Sequence, residues 1–377
     1  MKKAAPPPAR QAGALRRSPQ PARGDAGAED GPEGWAAGKL SGRGEYEASL
    51  IVVSFNTRDL LRECLQSAVA ECARLPEGQG AEVLVMDNGS SDGSAAIVAS
   101  EFASGPIPVR LFRSEANLGF AEANNLAMEA ARGRYLVLLN CDAQLHTGVL
   151  RKAILHMDAN PAVGIGGARL VGRDGGGQPS ARSFPTLWRD ALVMTGLSAR
   201  FPSSHIFGAP DRTWASPGQP AQVDWVPGAF CILRREALKK AGLFDPAFFH
   251  YYEDVDLCRR VKAAGFRIQY WPDLVVTRLG GESGRQLHSP RFSGDSAQAV
   301  LWRMRSTLLY YRKHHGGQAR LALWLKESVY TLRRLGNRGS RDPARRERAE
   351  ETRLVLDLMR QAWNETDGGR VSPPRPW

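Results

Sequence analysis

Apolar residues fall into short continuous runs separated by amphipathic stretches, and the pattern begins abruptly. Ala48-Ser49-Leu50-Ile51-Val52-Val53-Ser54 is rich in β-branched residues, as expected of a strand buried on both faces of a parallel sheet. Helical spacing follows from Arg58 to about Ala73. Glu82-Val83-Leu84-Val85-Met86 is a second buried strand, and helical spacing returns from Ala95 to Phe102. Val109-Arg110-Leu111-Phe112 and Tyr135-Leu136-Val137-Leu138-Leu139 are predicted as further strands, with a helix over Ala121 to Ala131 between them. Strands alternating with helices imply an α/β fold, a mostly parallel sheet with right-handed crossovers and flanking helices.

In such sheets ligands bind beyond the carboxyl ends of the strands. Three polar triplets occupy those ends: Ser54-Phe55-Asn56, Asp87-Asn88-Gly89 and Asn140-Cys141-Asp142. Gly164-Ile165-Gly166-Gly167 lacks the spacing of a dinucleotide loop, and no G-x-x-x-x-G-K-[ST] occurs, which excludes a P-loop. From Gly172 to Gln222 the chain is rich in Gly, Pro and Arg. It reads as a long, partly mobile binding loop with one short helix near Leu187 to Leu197.

The strongest chemical signal is Phe249-His250-Tyr251-Tyr252-Glu253-Asp254-Val255-Asp256. Carboxylates this close repel one another, so at least one should have a raised pKa unless a cation or a proton is shared. An acidic first turn on a helix from about Val255 to Ala264 explains the charges. It does not explain the aromatic residues packed beside them.

Residues 1–46 contain almost no large apolar side chain and are expected to be a disordered basic tail. The remaining divisions are a catalytic domain over 47–284, basic amphipathic helices over 285–365 and a disordered tail over 366–377. In the helical part, 297–315 carries a stripe of Val300, Leu301, Met304, Leu308 and Tyr311, and 318–335 carries Leu321, Leu325, Val329 and Leu332. Arg and Lys on their other faces raise two expectations, packing on the catalytic domain or contact with an anionic membrane surface.

Composition narrows the classes. With 42% hydrophobic and 24% charged residues the chain is globular. The net charge of +12 would attract anions, but the excess sits at the two ends, so no nucleic-acid partner is expected. Five cysteines without a C-x-x-C pair argue against a disulfide framework or a zinc site, and a reducing cytoplasm fits best. No apolar run is long enough for a spanning helix, and the N-terminus does not read as a signal peptide.

Taken in order, the motifs Ile51 to Asn56, Val85 to Ser94, Asn117-Leu118-Gly119-Phe120, Arg132 to Asp142, Val223-Asp224-Trp225-Val226-Pro227-Gly228-Ala229, Gly242-Leu243-Phe244-Asp245 and the acidic cluster resemble family 2 glycosyltransferases of the GT-A fold. Within that family they are most similar to bacterial rhamnosyltransferase-like enzymes, and they cover roughly residues 48–284. The resemblance implies an inverting enzyme that transfers a sugar from a UDP- or dTDP-type donor to a saccharide or lipid-linked acceptor. It would build a bacterial surface glycan, working in the cytoplasm or on the inner face of the cytoplasmic membrane.

The resemblance also assigns roles. Asp87 would accept the N3–H of a uracil or thymine ring. Ser54, Phe55, Asn56, Asn88, Asn117, Gly119 and Asn140 would border the nucleotide-sugar. Trp225, Gly228 and Ala229 would wall the donor sugar and the acceptor. Asp142 would hold Mg²⁺ or Mn²⁺ against the diphosphate, since hard cations take oxygen ligands. Asp254 is the expected general base, with Glu253 its partner in the pair, and Asp256 would orient the helix with Arg259 and Arg260 beside it. Related sequences commonly have a metal-binding histidine where this chain has Arg278. A guanidinium cannot ligate a cation but can pair with a phosphate oxygen. A nucleotidyltransferase and a non-catalytic nucleotide-sugar or glycan-binding module are the alternatives.

Overall fold

The computed structural model describes residues 44–279 and 294–373. The expected N-terminal tail before residue 44 and the segment that closes the expected catalytic domain lie outside the described residues. Strands β1 (Tyr46–Ser54), β2 (Ala81–Asp87), β3 (Val109–Arg113) and β4 (Gly133–Leu139) alternate with helices α1 (Arg58–Ala73), α2 (Ser94–Ile97) and α3 (Phe120–Ala130). All four strands are parallel, in the order β3-β2-β1-β4. Every residue of β2 is buried, which is why the run lacks alternation. α2 is shorter than the helix expected over Ala95–Phe102, and the chain continues as a wider π turn over Val98–Phe102.

The rest of the sheet is built from β5 (Ala143–Leu145), β6 (Val163–Val171), β7 (Gly177–Gln178), β8 (Ala221–Val223), β9 (Phe230–Arg234) and β10 (Arg267–Arg278). The order continues β4-β9-β6-β10-β5, with β9 antiparallel to both of its neighbours. Because β9 runs against β4, its start lies beside the end of β4: Leu139 pairs with Phe230, and the Asn140 N–H donates to the Ala229 carbonyl at 3.0 Å. β5 runs against β10, pairing Ala143 with Arg278, and the Leu279 N–H donates to the Asp142 carbonyl at 2.9 Å. Two remote segments are thus delivered to one end of β4.

The glycine-rich run is part of β6. A Cβ on Gly166 would stand 2.0 Å from the Trp271 ring, so these glycines make room for core side chains on a central strand. Helices α4 (Val149–Ala159), α7 (Arg235–Ala241) and α8 (Glu253–Ala263) complete the two layers against the sheet. The segment read as a long loop over 172–222 is more regular than expected. It contributes β7, β8, α5 (Leu187–Met194) and α6 (Leu197–Arg200), and the Thr186 hydroxyl caps α5 by accepting from the Arg189 N–H.

Three C-terminal helices follow: α9 (Gly294–His315), α10 (Gln318–Arg338) and α11 (Pro343–Glu365). The apolar side of α9 turns inward. Leu309, Tyr310 and Tyr311 join the core on one face of the sheet, while Leu301 and Leu308 pack with Leu358 and Ala362 of α11. Asp342 caps α11 by accepting from the Ala344 N–H, with Pro343 in the first turn. The stretch from Thr366, expected to begin a disordered tail, instead closes a turn: Thr366 is fully buried, and its carbonyl accepts from the Arg370 and Val371 N–H groups.

Candidate active site

At the ends of β1 and β2 the polar residues divide into those that build the loops and those left with open valence. The Ser54 hydroxyl lies 2.9 Å from that of Thr57, and the Ser54 carbonyl accepts from the Asn88 N–H. Asn56 takes φ +52° and ties the two loops together, its side-chain oxygen accepting from the Ser91 N–H at 2.8 Å. Asn88 is buried; its amide donates to the Asn117 side chain, and its oxygen accepts from the Leu118 N–H at 2.8 Å. These asparagines shape the cradle. Asp87 differs: it is 1% exposed and its Oδ1 has no partner. Burial raises its pKa, although Arg113 stands 3.9 Å away. Phe55 is partly exposed at the rim.

A second group forms where β4 ends. Asn140 and Asp142 each turn a buried Oδ1 that has no hydrogen-bond partner. Arg278 arrives on β10, with its Nε 3.7 Å from Asp142 Oδ1. That is too long for a hydrogen bond, and the same Nε is itself unpartnered.

The acidic pair opens α8. The Asp254 carboxylate accepts from the Gly228 N–H at 3.2 Å and from the Val255 N–H at 2.8 Å. Glu253 is 5% exposed and its Oε2 has no partner. Burial, and then the charge of Asp254, push Glu253 well above the usual carboxylate range. Burial also raises Asp254, but the two amide bonds oppose the shift. Burial thus favours a proton held within the pair, and the two amide bonds favour the charge at Asp254.

The chain enters this pair under strain. Tyr251 and Tyr252 take φ values of +71° and +70°, a region that bulky residues rarely enter without support. Support comes from both sides. The Phe120 N–H donates to the Phe249 carbonyl at 2.7 Å, and Gly119, at φ +86°, leaves the space: a Cβ there would stand 2.5 Å from that oxygen. From α9, the Ser306 hydroxyl donates to the His250 carbonyl at 2.8 Å. The Arg303 guanidinium lies 4.7 Å above the Tyr251 ring, and the Tyr310 ring lies 5.3 Å from that of Tyr252.

Asp256 points away from the pair and is fully buried. Burial opposes its ionisation, but His314, Arg260 and Lys313 together hold it down to about 2. Their nitrogens lie 2.6, 2.8 and 2.7 Å from its oxygens. Arg259, expected beside it, instead donates to the Tyr310 hydroxyl.

Trp225 and Ala229, expected to wall the sugar, are buried in the core. The Trp225 indole donates to the Ser183 carbonyl and carries the Arg182 guanidinium 4.6 Å above its ring. Gly228 faces Phe120 and Asp254, and a Cβ there would make ordinary contacts at 3.6 and 3.9 Å. Sequence reasoning missed Arg113, Phe120, Arg182, His250 and the α9 residues. Only His250 had a local signal, its place beside the acidic pair; the others converge through the fold. Burial, followed by Arg303 and Arg278, lowers His250 to about 4, so its imidazole is neutral near pH 7.

Nine buried side-chain polar atoms lack a partner among the described residues, and five of them belong to Asp87, Asn140, Asp142, Glu253 and Arg278. Natural folds leave few such groups, and here they gather at strand ends and one helix N-terminus. Among the described residues no three His, Cys, Asp or Glu side chains cluster as a metal site. Asp142 and Asn140 nonetheless fit a hard cation that takes its remaining ligands from a diphosphate and water, because each offers an unused oxygen.

Comparison with known proteins agrees with this geometry. The family described as Glycosyl transferase family 2 matches residues 49–241. An N-acetylglucosaminyl-diphospho-decaprenol L-rhamnosyltransferase of Mycobacterium tuberculosis is 28% identical over 286 residues, covering 72% of this chain and 88% of that protein. The rhamnosyltransferase WbbL of Escherichia coli is 29% identical over 134 residues, 35% of this chain and 43% of that protein. Among solved structures, the mannosyltransferase PcManGT of Pyrobaculum calidifontis, in complex with GDP-Man and Mn²⁺, superposes with a TM-score of 0.53 at 17% identity. The superposition covers 88% of this chain and 91% of that one, which shows a shared GT-A fold. With the family matching about half of the chain and a rhamnosyltransferase aligned well beyond it, the chain is a rhamnosyltransferase-like member of glycosyltransferase family 2.

Proposed function

We propose that this protein is an inverting glycosyltransferase that moves a sugar, with rhamnose the leading candidate, from a UDP- or dTDP-linked donor to a lipid-linked saccharide. The observation that carries the reading is the set of unpartnered polar atoms of Asp87, Asn140, Asp142 and Arg278 facing the same strand ends as Asp254. Asp87 accepts the imide N–H of the pyrimidine, and Arg278 pairs with a diphosphate oxygen. Asp142 and Asn140 would hold Mg²⁺ or Mn²⁺, and such an ion would supply positive charge against the leaving diphosphate. Asp254 takes the proton of the acceptor hydroxyl as that oxygen bonds to the anomeric carbon and the bond to the diphosphate breaks. Displacement from the opposite face inverts the configuration.

The lipid-linked acceptor is inferred from the mycobacterial relative, whose name specifies a decaprenol-linked acceptor, and it would place the protein at the inner face of the cytoplasmic membrane. The test is a panel of UDP-, dTDP- and GDP-sugars with a diphospholipid-linked N-acetylhexosamine, the product read by mass and its anomeric configuration by NMR. Transfer from one pyrimidine-linked donor with inversion is expected. Retention would overturn the mechanism, and no transfer from any donor would overturn the enzymatic reading in favour of a binding module.

A further inference from the structure

The catalytic domain and the C-terminal helices meet on a surface the catalytic geometry does not use. α10 carries Leu321, Trp324, Leu332 and Leu335, each between 49% and 69% exposed. At 3.6 residues per turn they lie within about 80° of one face. The opposite side of the helix is seated through buried Ala319 and Ala322. α5 lies against α10, with Lys326 Nζ 3.5 Å from Asp190 Oδ2 and Arg333 donating to the Met194 carbonyl. Large apolar side chains exposed singly need no explanation, but four collected on one helix face do.

The charge says what covers it. α10 has five basic residues, Arg320, Lys326, Arg333, Arg334 and Arg338, against one acid, Glu327. Arg320 and Arg338 flank the apolar stripe, and neither is paired with a carboxylate among the described residues. An apolar face with Trp at its edge and a cationic border matches a bilayer interface bearing anionic headgroups. A second copy of the chain would bring like charges together. The sequence left packing on the catalytic domain and contact with a membrane surface open for both α9 and α10; the stripe of α9 is buried in the core, so α9 is excluded.

We propose that the exposed stripe of α10 is a docking surface for an anionic lipid bilayer. Its position matters for catalysis. Docking through α10 would hold the enzyme at the lipid surface that carries the acceptor. This placement rests on the lipid-linked acceptor proposed above, but the docking surface itself does not.

The experiment is co-sedimentation of the full chain with vesicles of phosphatidylglycerol and phosphatidylcholine in equal parts, and with phosphatidylcholine alone, at low and high salt. Binding is expected only to the anionic vesicles, weakening with salt. Trp324→Ser with Leu332→Ser, and separately Arg320→Glu with Arg338→Glu, should each weaken it by about tenfold or more. Both variants should retain transfer to a short-chain, water-soluble acceptor, as neither touches the site. Vesicle binding by the variants equal to that of the unaltered protein, or no binding by the unaltered protein at low salt, would overturn the proposal. So would a dimer in solution that Trp324→Ser with Leu332→Ser converts to monomer, since that assigns the face to a second copy. Vesicle binding without transfer to any acceptor would instead overturn the enzymatic reading and leave the surface standing.

Discussion

Asp254 and Glu253 are adjacent carboxylates with different work to do, and substitution should separate them. Asp254 is bonded by two backbone N–H groups, so Asp254→Asn should keep the fold and donor affinity but lower kcat by about 100-fold or more. Because burial raises Asp254, and the base must be ionised, kcat/KM should fall as pH drops through a value above the ordinary aspartate pKa of about 3.9. Glu253→Gln keeps the side chain's size and a hydrogen-bonding end and should change kcat by less than about tenfold. Its effect on stability has a definite sign. A folded pKa above the unfolded one favours folding at low pH, and that advantage is lost as pH rises toward the folded value. Glu253→Gln should therefore flatten the decline of Tm with rising pH, which a calorimetric pH series would read. For the donor side, Asp142→Ala should abolish the Mg²⁺- or Mn²⁺-dependent part of nucleotide-sugar binding measured by calorimetry. Full activity of the unaltered protein in EDTA would move the diphosphate to Arg278 alone.

The helices α8 and α9 act as one element through Asp256. A fully buried carboxylate held by Arg260, Lys313 and His314 is costly to neutralise because Arg260 loses its carboxylate, although Lys313 keeps Asp245. Asp256→Asn should cost about 3 kcal/mol by denaturant unfolding. The ordering with pH is opposite to that of Glu253. A depressed folded pKa gives stability above the unfolded value, lost as pH falls toward about 2. Activity should fall along with stability, since α9 also braces the strained Tyr251 and Tyr252 through Ser306, Arg303 and Tyr310.

Across the whole molecule, the C-terminal helices are part of one folded body with the α/β domain. α9 places Tyr310 and Tyr311, both fully buried, in the core beneath α8. A chain ending at Leu279 should therefore fail to accumulate in the soluble fraction or give a non-cooperative melt, although the family match stops at residue 241. No helix among the described residues is long and apolar enough to cross a membrane.

Local pattern was enough for the first half of the fold. β1, β2 and β4 are continuous apolar runs, and burial on both faces of a parallel sheet requires such runs wherever the strands later lie. The same logic marked Asp87, Asp142 and Asp254 as candidates, because a polar residue at the end of an apolar strand or among aromatics is a local contrast. β6 was illegible: its glycines carry no apolar signal, and their reason is the Trp271 ring, more than a hundred residues away. The sequence alone could not say that Arg278 stands beside Asp142, that Gly228 bonds Asp254, or that Asn88 and Asn117 are bonded to each other. Nor could it tell which amphipathic helix shows its apolar stripe to water. Leu308 in α9 and Leu332 in α10 read alike along the chain, yet one is 4% exposed and the other 69%. Amphipathicity only requires that a stripe be covered; what covers it depends on the surfaces that the rest of the chain brings against it.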